Sequence, residues 1–164
     1  MFSMNYKAPF GDLVIESTQA GISRVSLGTT KTEKRHKHLE QAAKELNEYF
    51  LGQRKTFSVP LDIQGTDFQR KTWKALTEIP YGSKVSYLDL AKKVAGPKHC
   101  RAVANANNKN KLPIFIPCHR VIGSDGSLVG FAWGLEVKRE LLENEGVEGS
   151  STPSTHKREN TCIK

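Results

Sequence analysis

Long apolar runs are missing from this 164-residue chain. A helix that spans a bilayer needs about 20 consecutive apolar residues, and no stretch approaches that, so no membrane span is expected. Residues 1–6 also lack the basic start and apolar core of a secretory signal. Cysteine is scarce: only Cys100, Cys118 and Cys162 occur. Three cysteines cannot all pair within one chain. They show no CxxC or zinc-finger spacing, which argues against a disulfide framework and a structural zinc site. A reducing, cytoplasmic setting fits this usage. Acidic residues are in the minority, 17 against 25 Lys and Arg, leaving a net charge of +8. That balance favours an anionic partner such as nucleic acid or an anionic membrane surface, and is equally compatible with a well-solvated surface. Hydrophobic residues make up 37% of the chain, little for one tight globule, so a polar tail or a large charged surface is expected.

The most informative stretch is Ile116-Pro117-Cys118-His119-Arg120-Val121. A free thiol has a pKa of about 8.5, so little of it is thiolate at neutral pH. A nucleophilic cysteine therefore needs a group that takes its proton or favours its charge. His119 and Arg120 are candidates for that role. The competing reading is a buried structural cysteine, since free cysteine is among the most buried residue types.

Hydrophobic periodicity divides the chain into three parts: residues 1–65, 66–147 and 148–164. Short strands are predicted at residues 6–9, 13–17 and 22–27, separated by Gly11-Asp12 and Gln19-Ala20-Gly21 turn signals. The basic stretch 31–38 reads as a solvated loop or helix entry. A helix follows over 39–51 with Leu39, Ala42, Ala43, Leu46, Tyr49 and Phe50 on one stripe and Gly52 at its end. A further strand is predicted over 57–63. The second part holds helices over 67–78, 87–94, 98–107 and 136–145, with Ser86 as an N-cap. The two helices around Gly96-Pro97 read as a helix-turn-helix. The second carries Lys98, His99 and Arg101 near its start and the small residues Ala102, Ala104 and Ala106 along it. Such a helix suits close approach to a DNA groove, or tight packing in a core. Phe131 and Trp133 lie between glycines, where aromatics suit a flat ligand or cap a core. Residues 148–164 are polar and are expected to be disordered.

Together these residues resemble one family, the O6-alkylguanine-DNA alkyltransferases. The resemblance rests on Pro117-Cys118-His119-Arg120-Val121, Pro80-Tyr81-Gly82, Val85-Ser86-Tyr87, Arg101-Ala102-Val103, residues 107–110, Gly134-Leu135 and residues 141–146. It covers about residues 66–147 closely and the N-terminal part more loosely. It implies an α/β (α+β) fold: a small N-terminal β-sheet domain with a helix, then a mostly helical domain with a winged-helix or helix-turn-helix-like DNA-binding motif. It implies direct-reversal repair by a methylated-DNA–protein-cysteine S-methyltransferase. The alkyl group of O6-alkylguanine, and of O4-alkylthymine, passes irreversibly to Cys118, once per molecule. The implied partner is double-stranded DNA carrying that lesion. No cofactor, metal or membrane is implied, and a monomer is expected.

The family's roles carry over residue by residue. His119 would take the thiol proton through a water, Glu145 would orient His119, and Asn110 would hold the turn around Cys118. Arg101 would fill the stack behind a flipped base. Tyr87 would crowd the target phosphate, donate to the base and line the pocket with Phe131 and Trp133. Lys98, Ala102 and Ala104 would lie along the minor groove. Trp133 departs from relatives that have glycine there, which implies a narrower pocket and slow transfer of bulky groups. Rival readings are a non-catalytic protein that flags alkylated DNA, a thiol hydrolase and a sequence-specific regulator.

Overall fold

The computed structural model describes residues 1–147; the tail expected over 148–164, and Cys162 with it, lies outside them. The chain forms two compact units, Met1–Gln64 and a second beginning at Gly65. Among the described residues no helix is long and apolar enough to cross a membrane.

In the first unit, β1 (Phe2–Ala8), β2 (Gly11–Ser17) and β3 (Ile22–Leu27) form an antiparallel meander in the order β1-β2-β3. Helix α1 (Lys37–Phe50) packs on this sheet. Leu39, Ala42, Leu46 and Tyr49 recur at helical spacing and are fully buried, so the apolar stripe faces inward. His36 caps the helix by accepting the His38 backbone N–H at 3.1 Å. The basic stretch ahead of α1 is a loop pinned to β1 by paired backbone hydrogen bonds between Ser3 and Lys34.

The strand expected over 57–63 does not form. Only an isolated parallel bridge joins Ile22 and Leu61, with Ile22 N–H donating to Pro60 O and Asp62 N–H to Ile22 O. Pro60 has no N–H to extend a ladder. The approach is also close: a Cβ at Gly21 would lie 2.5 Å from the Pro60 oxygen.

The second unit opens with α2 (Asp67–Thr77), started by a reciprocal capping box between Thr66 and Gln69. Buried Trp73 donates its indole N–H to Ala106 O at 2.9 Å, tying α2 to α4. Strand β4 (Val85–Ser86) leads into α3 (Tyr87–Val94), capped by Ser86 accepting from Asp89 N–H. Gly96, at φ 111°, makes the turn, and a 3-10 turn over Pro97–His99 precedes α4 (Cys100–Asn108). The helix expected from residue 98 thus starts at Cys100, because Pro97 fixes a tighter first turn. Strand β5 (Val121–Ile122) pairs with β4 in parallel, a bridge that periodicity did not show. Helices α3 and α4 about the Gly96 turn form the expected helix-turn-helix-like motif. Helix α5 (Leu135–Asn144) ends the unit, with Leu141 and Leu142 buried.

Candidate active site

The site is built on a strained loop between α4 and the 3-10 turn Cys118–Arg120. Asn110 organises it: its side-chain amide donates to Ile116 O at 2.8 Å, and its oxygen accepts Leu112 N–H at 2.9 Å. Leu112 O accepts Ile116 N–H, and Ile116 O accepts Cys118 N–H. Ile114 is forced to φ 78° inside this loop. A β-branched residue there is a genuine outlier, held only because its surroundings over-determine it. The result places Cys118 at the end of the apolar run, buried and a free thiol.

Behind the thiol stands a buried charge cluster. Glu145, the residue that closes α5, accepts from His119 Nε2 at 2.7 Å. It also accepts from Arg120 Nε at 2.8 Å and from its terminal nitrogen at 3.0 Å. Arg120 donates further to Ile79 O at 2.6 Å. Arg120 therefore serves Glu145 rather than the thiol, and its suggested role as a direct proton acceptor or charge partner of Cys118 is corrected. An ionised carboxylate only accepts, so His119 carries its proton on Nε2. Its Nδ1 is left as a buried lone pair with no partner among the described residues. Burial lowers the His119 pKa against the pull of Glu145, and the Arg120 and Lys138 charges lower it further. His119 is thus a neutral ring with a free basic nitrogen. Burial raises the Cys118 thiol above its ordinary value, while Asn110 and Lys138 pull it back.

Lys138 was not anticipated. Its side chain is fully buried and donates to Val129 O at 2.7 Å and Gly130 O at 3.4 Å. Burial lowers its pKa to about 7, with Cys118 acting in the opposite sense. A signal existed in the sequence: Lys138 lies three residues after Leu135 and three before Leu141, on the inward stripe of α5.

Tyr87 is wholly buried, with its hydroxyl against the Val129 and Gly130 carbonyls at 3.2 Å. Burial, then Cys118, raises its pKa. This is a place in the inner wall; a side chain with no exposure does not reach a phosphate without rearrangement. Phe131 and Trp133 are half-buried, edge to face at 6.3 Å.

On α4 the expected DNA-facing residues divide. Lys98, Arg101 and Ala102 are exposed, together with Asn105 and Asn108. Ala104 is buried, because the helix turns that position toward the core with Val103 and Ala106. Its expected groove contact is corrected on that ground. Asn105, one turn beyond Arg101, stands on the outer face instead.

Fold and site together define a class: a mixed α/β protein in which a helix-turn-helix unit carries a buried, histidine-flanked free thiol. Residues 67–147 match the family described as 6-O-methylguanine DNA methyltransferase, DNA binding domain, and residues 1–63 its ribonuclease-like domain. The constitutive methylated-DNA–protein-cysteine methyltransferase of Bacillus subtilis strain 168 is 44% identical over 160 residues, covering 88% of this chain and 97% of that protein. The methylated-DNA–protein-cysteine methyltransferase of Methanosarcina acetivorans is 39% identical, covering 89% and 99%. Among solved structures, Mycobacterium tuberculosis OGT in complex with DNA superposes with a TM-score of 0.82 at 36% identity, covering 88% of this chain and 92% of that one. The chain belongs to the O6-methylguanine-DNA methyltransferase family.

Proposed function

We propose that this protein repairs DNA by direct reversal, moving the alkyl group of O6-alkylguanine, and of O4-alkylthymine, to Cys118 in a single irreversible event. The observation that carries this reading is the placement of a free, buried thiol in sequence beside a histidine whose Nε2 is tied to Glu145 and whose Nδ1 has no partner among the described residues. A water held on Nδ1 would pass the thiol proton to His119, and Glu145 would stabilise the imidazolium that forms. The sulfur then attacks the alkyl carbon. The carbon–O6 bond breaks with its electron pair left on the purine, and a thioether remains on the protein. A thioether is a poor leaving group, so each molecule acts once.

The target base must leave the stack to reach a thiol this deep. Arg101 would fill the gap from the exposed face of α4, with Lys98 and Ala102 beside it along the minor groove. Tyr87, Phe131 and Trp133 would line the pocket that receives the base. A monomer acting in the reducing cytoplasm suits a nucleophile that must stay a thiol. Division of labour would follow residues 1–65 and 66–147, with the chemistry in the second part. The lesion-flagging alternative is disfavoured by the free thiol at Cys118.

Intact and peptide mass spectrometry after mixing the protein with a duplex carrying one O6-methylguanine tests this. One added methyl on Cys118, with yield capped at one per protein, is expected. An unmodified protein that binds the lesion tightly would support the flagging role, and one that neither binds nor reacts would remove the repair reading.

A further inference from the structure

Asn107 sits on the inner face of α4, 1% exposed, against the Tyr87 hydroxyl. Its side-chain N–H groups donate to the Tyr87 oxygen at 3.4 Å and to Asn108 Oδ1 at 3.5 Å. Its own Oδ1 is buried with no partner among the described residues. An unmet buried acceptor costs about 1–3 kcal/mol. A leucine of nearly the same shape would avoid that cost, and the neighbouring inward positions of α4, Val103 and Ala106, are apolar. Packing therefore does not account for an amide at position 107, whereas its N–H groups do.

What the contact with Tyr87 achieves follows from counting donors. A phenol has one proton to give and an oxygen that accepts, while an amide nitrogen only donates. The Tyr87 proton therefore cannot point at Asn107 Nδ2. It points to the side where Val129 O and Gly130 O each lie 3.2 Å away. The approach there is close: a Cβ on Gly130 would lie 3.1 Å from the hydroxyl. A donor on the oxygen also polarises the O–H bond and makes it the better donor. In the same sense, the Asn107 contact works against the burial that raises the Tyr87 pKa. Both carbonyls also accept from Lys138, at 2.7 and 3.4 Å. They stay satisfied if the Tyr87 proton turns to another acceptor.

Resting on the reading of Tyr87 as a donor in the wall of the base pocket, we propose that Asn107 is a positioning residue. It holds the Tyr87 hydroxyl with its proton directed away from α4, so that the incoming alkylated base can receive that hydrogen bond in place of a backbone carbonyl.

The test is a double-mutant cycle. Asn107→Leu removes the N–H and keeps the bulk, and Tyr87→Phe removes the hydroxyl. Single-turnover transfer from an O6-methylguanine duplex is followed to saturation, giving a maximal rate and a half-saturation point. Asn107→Leu should lower the maximal rate about fivefold, the worth of one neutral hydrogen bond, and leave half-saturation unchanged. In the Tyr87→Phe background the same substitution should cost nothing further, since no hydroxyl is left to orient. Equal losses in both backgrounds would make Asn107 a packing residue and overturn the proposal. A slow Tyr87→Phe beside a full-rate Asn107→Leu would also overturn it, and leave the reading of Tyr87 standing. A Tyr87→Phe variant that transfers as wild type would remove that reading and the proposal with it.

A second measurement needs no change at position 107. The Asn107 side-chain amide protons should exchange slowly with solvent in the wild type. In Tyr87→Phe their resonances should shift and their exchange should quicken, because one acceptor is lost. Amide resonances identical in the two proteins would overturn the proposal, and this readout does not depend on whether alkyl transfer occurs.

Discussion

Each unit buries a glutamate, and the two are used in opposite ways. Glu45, inside the sheet unit, accepts from Ser58 N–H at 3.0 Å, Ser58 Oγ at 2.7 Å, Val59 N–H at 3.1 Å and Gln41 at 2.9 Å. Its oxygens are consumed by the segment that returns from α1, so the carboxylate is scaffolding. Glu145 is equally buried, but its partners are an imidazole and a guanidinium. The imidazole passes on an unused lone pair at Nδ1. Two serine hydroxyls in the sheet unit, on Ser17 and Ser23, also lack partners among the described residues. A hydroxyl with no acid or base beside it is only a small local cost, whereas the unpartnered nitrogen of His119, the residue after the thiol, is the one to which the proton relay proposed above is assigned. Glu45 ends on backbone N–H groups and neutral side-chain donors and lies 3.9 Å from the Arg54 guanidinium, whereas Glu145 is held at 2.7–3.0 Å by an imidazole and a guanidinium.

Removing each carboxylate in turn is the sharpest way to break this comparison. Glu145→Gln leaves Arg120 buried without its anion and His119 without its anchor. We expect transfer to fall by about 100-fold or more and stability by about 3–5 kcal/mol, read by single-turnover kinetics and denaturant unfolding. Glu45→Gln should cost about 1–3 kcal/mol and leave the transfer rate of the folded protein unchanged. Equal losses of rate in the two variants would erase the distinction.

Acid should separate the units further. Burial works to raise the Glu45 pKa, but the hydrogen bonds from Gln41, Ser58 and Val59 outweigh it, and the net direction is down. A carboxylate depressed in the folded state contributes stability that is present above its unfolded value and lost as pH falls through the folded one. The first unit should therefore lose stability progressively below about pH 4.5, with Glu45→Gln flattening that dependence. Urea unfolding at a series of pH values measures it, and an unchanged slope in the variant would assign the acid sensitivity elsewhere.

The comparison also shows what a linear sequence can and cannot tell. The α1 stripe of Leu39, Ala42, Leu46 and Tyr49 was readable because 3.6-residue periodicity is local. So was the order of Asn110, Cys118, His119 and Glu145, through the resemblance of their flanking motifs. Orientation was not readable. Ala104 looked like a groove-facing small residue and turns inward. Tyr87 was expected to crowd a phosphate as well as line the pocket, and lies wholly buried. Arg120 looked like a partner for the thiol and binds Glu145, 25 residues away in sequence. The strand expected over 57–63 failed because hydrophobic alternation does not reveal that Pro60 lacks a donor at the edge where pairing would occur. Lys138 was passed over because lysine is read as surface by default, although its spacing on α5 placed it inward.

Exposed residues of α4 should show a smaller and more selective effect than the buried cluster. Arg101→Ala leaves the thiol, His119 and Glu145 untouched. It should slow repair in a duplex by about tenfold, equivalent to roughly 1.4 kcal/mol of lost support for the flipped state. Reaction with the free alkylated base should be unaffected, because no stack must be opened. Parallel losses on both substrates would remove Arg101 from base extrusion and return it to general phosphate contact.

The smallest effect should come from the pocket rim, where size rather than charge decides. Trp133 is half-buried and packs edge to face on Phe131, just before Gly134, whose N–H donates to Phe131 O. On the pocket role proposed above, a ring in that place would narrow the route to Cys118 and leave the proton path through His119 unchanged. Trp133→Gly should therefore leave methyl transfer within about twofold of wild type and raise benzyl transfer severalfold, since relief of a steric contact adds about 1 kcal/mol for the larger group alone. The ratio of the two rates is the quantity to measure, because it cancels any change in folding or thiol reactivity. A ratio that stays constant would mean that the Lys138 and Tyr87 hold on the Val129–Gly130 segment, not the Trp133 ring, sets the width of the pocket.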